Sequence, residues 1–264
     1  MDLRLDGKVA WVLGASSGLG RASATSLAAE GAAVALSARR PEPLDEAAAE
    51  IGSTTGGRLF AVPLDVRDAE AIGPAADRIA RELGPVDILV ANAGGPPPGP
   101  FESFDDAALV DAFTLTTASA WRLAHAVVPH MKRRGGGSLL FITSSSTKEV
   151  IPGLLLSNMM RGAVVGMAKT LSKELGPHGI RVLCVAPGRI RTPRVESLDA
   201  RQAEDSGRSL EEVVAESEAR IPLGRYGSIE EFGDVVAFLA SERASYMTGT
   251  SVVVDGGMLS GVLT

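Results

Sequence analysis

The segment Gly14-Ala-Ser-Ser-Gly18-Leu-Gly20 has the residue types and spacing that bind a phosphate group. Glycine lets the backbone turn tightly and approach a ligand closely, and the free N–H groups at a helix start attract anions together with the helix dipole. An apolar run, 9–13, precedes the turn and a helical pattern, 18–30, follows it. The spacing therefore predicts a dinucleotide site, and a glycine-rich turn without a ligand is the alternative.

The end of the second apolar run indicates which dinucleotide would bind. A carboxylate there would bind the adenosine ribose of NAD, whereas the 2′-phosphate of NADP requires a cation and no carboxylate. The residues at this point are Ala38-Arg39-Arg40. A guanidinium forms bidentate, charge-assisted hydrogen bonds with phosphate, so Arg39 favours NADP over NAD. The alternative is that both arginines are solvated charges at a helix start.

The glycine turn and Arg39 must be positioned by the surrounding strands and helices, whose patterns alternate along the chain. The apolar runs typical of buried parallel strands are 9–13, 33–38, 58–63, 86–91, 138–143, 180–185 and 251–254. The helical patterns between them are 18–30, 42–52, 68–83, 105–133, 158–175 and 228–241. The order predicts an α/β fold with one Rossmann-type, doubly wound parallel sheet of about seven strands and helices on both faces. No linker interrupts it, so residues 1–264 are expected to form a single domain.

Two segments interrupt this alternation near the predicted crevice. The loop 94–100 is rich in proline and follows the fourth strand, where a stiff wall is expected, with a polyproline ligand as the alternative. The segment 194–220 is charged and loosely helical, and it follows the sixth strand. It is predicted to be a movable cover on the substrate side of the crevice.

Composition excludes several classes of function. The net charge of −6, with 4% aromatic residues, argues against nucleic-acid binding. No run is long enough to cross a bilayer, and the single cysteine, Cys184, lies in an apolar strand pattern, so a cytoplasmic protein without membrane attachment is expected. His125 and His130 are five residues apart rather than four, which disfavours a metal pair, and no metal site is predicted.

Six short motifs occur in an order that resembles the short-chain dehydrogenase/reductase family. The resemblance covers essentially the whole chain and is closest to the 3-oxoacyl-acyl-carrier-protein-reductase-like branch. The motifs are Gly14-Ala-Ser-Ser-Gly-Leu-Gly20, Leu64-Asp65-Val66, Ala91-Asn92-Ala93-Gly94, Ile142-Thr-Ser144, Ala186-Pro-Gly188 with Thr192, and Val254-Asp-Gly-Gly257.

The resemblance implies a set of cofactor contacts in addition to Arg39. The residues expected at the pyrophosphate and its ribose are Gly14, Ser16, Ser17, Gly18, Leu19 and Gly20. Asp65 and Val66 would flank the adenine, and Asn92, Ala93 and Gly94 would lie under the cofactor. The residues expected on the nicotinamide side are Pro187, Gly188 and Thr192.

The catalytic residues implied by the resemblance are mostly replaced. In the family, a tyrosine follows a serine by thirteen residues and donates a proton to the substrate, and a lysine four residues later holds the nicotinamide ribose. Counted from Ser144, these positions hold Ser157 and Arg161. The family's helix asparagine aligns with Thr116. The chain has two tyrosines, at 226 and 246. Both lie too far along the chain from Ser144 to occupy the family's tyrosine position, and they are interpreted as packing residues.

An aliphatic hydroxyl is far too weak an acid to replace a tuned phenol, so Ser157 is not expected to donate a proton as tyrosine does. Arg161 keeps a positive charge and can still bind ribose hydroxyls. Ser144 could polarise a carbonyl oxygen. Lys148, four residues after Ser144, is a candidate acid if burial lowers its pKa, and a solvated loop lysine is the alternative.

Two functions remain open at this point. The first is an NADP(H)-dependent oxidoreductase that acts on a carbonyl or alcohol by a variant proton route, and the residues favour it modestly. The second is a catalytically silent NADP(H)-binding sensor or structural subunit. In both cases the resemblance implies a homotetramer that forms through the helices at 105–133 and 158–175 and the apolar tail 258–264. The substrate, a small molecule, is not specified.

Overall fold

The computed structural model describes residues 1–261, so the last three residues of the apolar tail lie outside the described part. Seven strands form one parallel sheet in the order β3-β2-β1-β4-β5-β6-β7. The strands are β1 (Val9–Leu13), β2 (Ala33–Ser37), β3 (Leu59–Ala61), β4 (Ile88–Ala91), β5 (Gly137–Ile142), β6 (Ile180–Pro187) and β7 (Ser251–Val254). The predicted doubly wound sheet is confirmed.

Nine α-helices connect the strands within the described residues. They are α1 (Gly18–Ala29), α2 (Pro41–Thr55), α3 (Ala69–Glu82), α4 (Asp106–Ala112), α5 (Ser119–Arg134), α6 (Leu155–Leu175), α7 (Pro193–Ser206), α8 (Leu210–Ala219) and α9 (Ile229–Ala240). None of the helices in residues 1–261 is long and apolar enough to span a membrane. The cytoplasmic location stays a prediction.

The apolar strands are buried because helices cover both faces of the sheet. On one face, α3, α5 and α6 pack against side chains such as Trp11 and Phe141, which are almost fully buried. On the other face, α1, α2 and α9 pack against Val12 and Leu36. Burial on both faces explains why the strands are continuous apolar runs rather than alternating ones.

Two predicted helical segments are divided in the structure. The segment 105–133 contains α4, a π-helical turn at Phe113–Ala118, and α5. A π turn inserts an extra residue without proline or glycine, so the apolar pattern gives no sign of it. The segment 194–220 forms α7 and α8, which are separated at Gly207.

The strand order places the ligand-binding crevice. From β1 the chain runs outward to β2 and β3, returns to β4 on the other side of β1, and then continues to β5, β6 and β7. The loops after β1 and β4 therefore diverge at the carboxyl edge of the sheet, which is where open α/β sheets bind ligands.

Candidate functional site

A cleft of about 570 Å³ lies at this edge, within the size range of small-molecule and cofactor pockets. It is lined by the glycine turn after β1 and by residues that follow β2, β3, β4, β5 and β6. The predicted cofactor positions in its wall are Gly14, Ser16, Ser17, Gly18, Leu19, Arg39, Asp65, Val66, Asn92, Ala93, Gly94, Arg161, Pro187, Gly188 and Thr192. The fold thus brings these separated motifs into one site.

Gly20 is the one predicted cofactor position that does not line the cleft. A Cβ atom added there would lie 2.3 Å from the backbone oxygen of Gly14, so the absent side chain lets α1 pack directly on the turn. Gly14 has a φ of 63°, and a Cβ there would lie 2.6 Å from Nδ2 of Asn92. Only glycine suits either position, and main-chain atoms form this part of the cleft wall.

The adenosine end of the cleft carries exposed positive charge. Arg39 and Arg40 follow β2 directly, are exposed, and form no ion pair with any residue in the described part of the chain. The last strand residue, Ser37, accepts a hydrogen bond from the indole of Trp11, with no carboxylate at the strand end. Asp65 accepts a backbone hydrogen bond from Arg67 at 3.0 Å. A 2′-phosphate would meet two guanidinium groups here.

Ser144, Ser157 and Arg161 line the same cleft at the ends of β5 and α6. Ser144 Oγ accepts a hydrogen bond from the backbone N–H of Ser146 at 3.1 Å, and its own hydroxyl hydrogen has no acceptor among the described residues. Positions 157 and 161 share one face of α6, and Nε of Arg161 donates to Oγ of Ser157 at 3.3 Å. Two hydroxyls and a guanidinium thus converge where the resemblance places the reaction.

Arg161 is held against the sheet by backbone carbonyl groups. Its Nη1 donates to the oxygens of Ile142 and Thr143 at 2.9 and 3.0 Å. Burial, and secondarily the charge of Arg194, lower the pKa of Arg161 to about 10. The guanidinium is therefore still protonated at neutral pH, with no carboxylate partner in the described residues.

Thr116 lies close to Arg161, whereas Lys148 lies outside the cleft. Thr116, in the π turn, is buried, and its Oγ1 has no hydrogen-bond partner in the described part of the molecule. It lines a small cavity of about 20 Å³ together with Arg161. Lys148 is exposed and does not line the cleft, so the burial that its proposed acid role requires is not observed. Its position is that of a solvated loop lysine.

The two tyrosines lie away from the cleft wall. The hydroxyl of Tyr226 donates to the buried carboxylate of Asp199 at 2.9 Å, and Arg189 pairs with the same carboxylate at 2.6 Å. Burial is the main cause that raises the pKa of Tyr226. Tyr246 is fully exposed. Tyr226 therefore anchors α7, and neither tyrosine contributes a phenol to the wall of this cleft.

Sequence reasoning missed the contribution of Arg194, which lines the cleft from the first turn of α7. Its guanidinium packs on Gly95 and donates to the backbone oxygen of Pro96 at 2.8 Å. The available signal was its place at the start of the predicted cover segment, directly after the motif that ends at Thr192. No group of three or more potential metal ligands occurs within residues 1–261.

Comparisons with known proteins agree with this arrangement. A family model described as Enoyl-(Acyl carrier protein) reductase matches residues 14–259. The chain is 36% identical to Oxidoreductase UcpA of Escherichia coli (strain K12) over 255 residues, 96% of this chain and 95% of that protein. It is 32% identical to 3-oxoacyl-[acyl-carrier-protein] reductase FabG of Thermotoga maritima over 257 residues, 97% of this chain and 100% of the relative.

A solved structure shares the whole architecture. L-sorbose reductase from Gluconobacter frateurii, complexed with NADPH and L-sorbose, superimposes with a TM-score of 0.94 at 33% identity. The match covers 99% of this chain and 100% of that chain. The similarity therefore extends over essentially the whole of both chains.

Proposed function

Because the chain belongs to the short-chain dehydrogenase/reductase family of oxidoreductases, we propose that it is an NADP(H)-dependent enzyme that acts on a carbonyl or alcohol by a variant proton route. The observation that carries this proposal is the convergence of Ser144, Ser157 and Arg161 in the wall that also contains the glycine turn. A binding module would not require hydroxyls and a cation at that end. The helices α7 and α8 are proposed to cover the substrate.

NADP is the proposed cofactor, in preference to NAD. Support comes from Arg39 and Arg40 at the adenosine end, which are exposed and pair with no carboxylate in residues 1–261, and from the absence of a carboxylate at the end of β2. The glycine turn would hold the pyrophosphate on backbone N–H groups. When bound, the nicotinamide supplies or accepts a hydride.

The side chains around the reacting oxygen can act by electrostatic stabilisation. The hydroxyl hydrogen of Ser144 can donate to a substrate carbonyl oxygen, because among the described residues Ser144 Oγ serves only as an acceptor for Ser146. Arg161 donates to Ser157, which leaves the Ser157 hydroxyl hydrogen to point toward the same oxygen. Negative charge that develops on that oxygen would then be stabilised by two hydroxyls and one nearby cation.

Such an arrangement lacks a positioned acid, so a slower reaction than that of a tyrosine-containing site is expected. General acid catalysis typically contributes about 10²- to 10⁴-fold, and a preorganised hydrogen-bond donor about 10²- to 10³-fold. The two hydroxyls can therefore recover part of the lost rate. Solvent would complete the proton transfer after the hydride has moved.

The test is NADPH oxidation with a panel of ketones and aldehydes, preceded by a binding titration with NADPH and NADH. Ser144→Ala and Ser157→Ala are expected to lower kcat with unchanged NADPH affinity, and Lys148→Ala serves as the matched control with wild-type kinetics. Tight NADPH binding without turnover on any carbonyl would instead support a silent binding protein. Failure to bind either nucleotide would contradict both hypotheses.

We also propose a homotetramer. Five exposed apolar side chains lie along the π turn, α4, α5 and α6 in the described residues, and an assembly would bury them. They are Leu109, Val110, Phe113, Trp121 and Met159. Light scattering coupled to size exclusion should report four copies for the wild type, and a smaller species for Trp121→Glu.

A further inference from the structure

The charges in the wall of the cleft are strongly biased. Six arginines and one aspartate line it within the described residues, and the aspartate, Asp65, lies beside the predicted adenine position. A bias of this kind favours an anionic ligand. Arg39 and Arg40 suit the 2′-phosphate of the cofactor, which leaves four further guanidinium groups to explain.

Two of these four are neutralised by the protein itself. Arg67 forms a bidentate pair with Asp111, with nitrogen–oxygen distances of 2.8 and 3.0 Å. Arg189 pairs with the buried Asp199 at 2.6 Å. Their charges are therefore balanced within the fold.

The other two, Arg161 and Arg194, have no carboxylate partner among residues 1–261. Within the described part of the chain, both donate to uncharged acceptors alone: Arg161 to two backbone oxygens and to Ser157, and Arg194 to the backbone oxygen of Pro96. Each charge is close enough to the other for Arg194 to contribute to the lowered pKa of Arg161. Two like charges that face one cleft without a counter-ion are costly unless a ligand supplies it.

From this geometry we infer that the substrate is an oxo acid whose carboxylate binds between Arg161 and Arg194. The inference rests on the proposed function and extends it to a substrate class. Guanidinium groups bind carboxylates through paired, charge-assisted hydrogen bonds, and Arg194 still has nitrogen donors beyond the one used by Pro96. The positions of the two arginines also agree with this substrate class. Arg161 contacts Ser157, and Arg194 packs on Gly95, which follows β4.

Iodide is a probe that requires no knowledge of the rest of the substrate. Crystals of the full chain, soaked in sodium iodide with and without NADPH, should show an anomalous peak between the two guanidinium groups. The peak should be absent from Arg194→Gln crystals and present in Arg201→Gln crystals. Arg201 is a matched control because it lies on the same helix and contacts the same proline loop, at Pro98, but does not line the cleft.

Affinity gives a second readout. Acetoacetate should bind the NADP⁺-loaded protein, which cannot reduce it, about 10- to 100-fold more tightly than its methyl ester, as expected when a charged hydrogen bond replaces a neutral contact. Arg194→Gln should abolish this preference without a change in NADPH affinity, and Arg201→Gln should retain it.

The outcomes separate the two proposals. A wild-type protein without iodide between Arg161 and Arg194, or with equal affinities for acid and ester, overturns the substrate class even if NADPH binds and ketones are reduced. If Arg194→Gln weakens NADPH binding as much as acetoacetate binding, Arg194 contacts the cofactor, and the proposed substrate class is again overturned. Loss of NADPH binding by the wild type overturns the proposed function, and the iodide soak without cofactor still reports on the anion site.

Discussion

The double substitution Ser157→Tyr with Arg161→Lys tests whether the missing acid limits the reaction. Both positions lie on one face of the uninterrupted helix α6, and their side chains already touch, at 3.3 Å. Ser157 lines the cleft beside Ser144, so a phenol at 157 would extend into a space of about 570 Å³ that the cofactor and substrate share. The substitution therefore places a phenol and an ammonium group where the resemblance expects them.

A positioned acid contributes about 10²- to 10⁴-fold, or about 3 to 5 kcal/mol of barrier, so carbonyl reduction should accelerate within this range. Part of the gain would be lost, because a lysine side chain at position 161 cannot reproduce the geometry by which Arg161 binds both Ile142 and Thr143. We therefore expect an acceleration of about 10²-fold, at the lower end of the range for a positioned acid, measured as NADPH oxidation with the ketone panel.

The pH dependence of carbonyl reduction gives an independent test of the same substitution. In the variant, reduction should fall as pH rises through the pKa of the phenol, because the acid must be protonated to donate. In the wild type, activity should persist to higher pH and fall near 10, where Arg161 loses its charge. Ser157→Phe with Arg161→Lys is the matched control, since it adds the ring without the hydroxyl. A double variant that folds, binds NADPH and is no faster than this control would refute the reasoning.

Three further substitutions test other parts of the molecule. Arg39→Ala should weaken NADPH binding about tenfold and leave NADH binding unchanged in a fluorescence titration, because one charged hydrogen bond to phosphate is lost. Asp199→Ala removes the carboxylate that Tyr226 and a paired arginine share, and chemical denaturation should show a loss of about 3 kcal/mol. Arg225 lowers the pKa of Glu231 to about 2. This carboxylate therefore stabilises the fold above its unfolded pKa near 4.5, and the contribution is lost as pH falls toward 2. Glu231→Gln should remove that pH dependence from the thermal melting temperature.

Each of the three has an internal control. Asp205→Ala breaks an exposed ion pair on the same helix as Asp199 and should cost less than about 1 kcal/mol. Glu230→Gln changes the neighbouring exposed carboxylate, for which the described residues provide no ion pair, and should keep the acid dependence of the wild type. Equal effects in a test variant and its control, or equal losses of NADPH and NADH affinity in Arg39→Ala, would contradict the assigned contacts.

The strands were largely predictable because burial on both faces produces a continuous apolar run in the sequence. The runs 9–13 and 251–254 match β1 and β7 residue for residue. The third run, 58–63, was longer than β3, although the backbone groups of Arg58 and Val62 still form hydrogen bonds with β2. The π turn escaped detection because it changes hydrogen bonding and not composition.

The candidate site was likewise predictable from the sequence only in part. The family resemblance located Ser157 and Arg161 by their count from Ser144, since that spacing runs along a single stretch of chain. It could not show that Arg161 binds the carbonyls of Ile142 and Thr143, because that contact joins α6 to the end of β5 across the fold. The exposure of Lys148 and the inward position of Arg194 likewise depend on loop paths that local patterns do not specify.

The direct packing of α1 on the glycine turn has a practical consequence for protein engineering. Because main-chain atoms form that part of the cleft wall, substitutions on α6 do not reach the surface on which the pyrophosphate would rest. A mutant library confined to positions 144 and 157 could therefore vary the chemistry while nucleotide affinity stays constant. The chain is a convenient starting scaffold for directed evolution of new reductases.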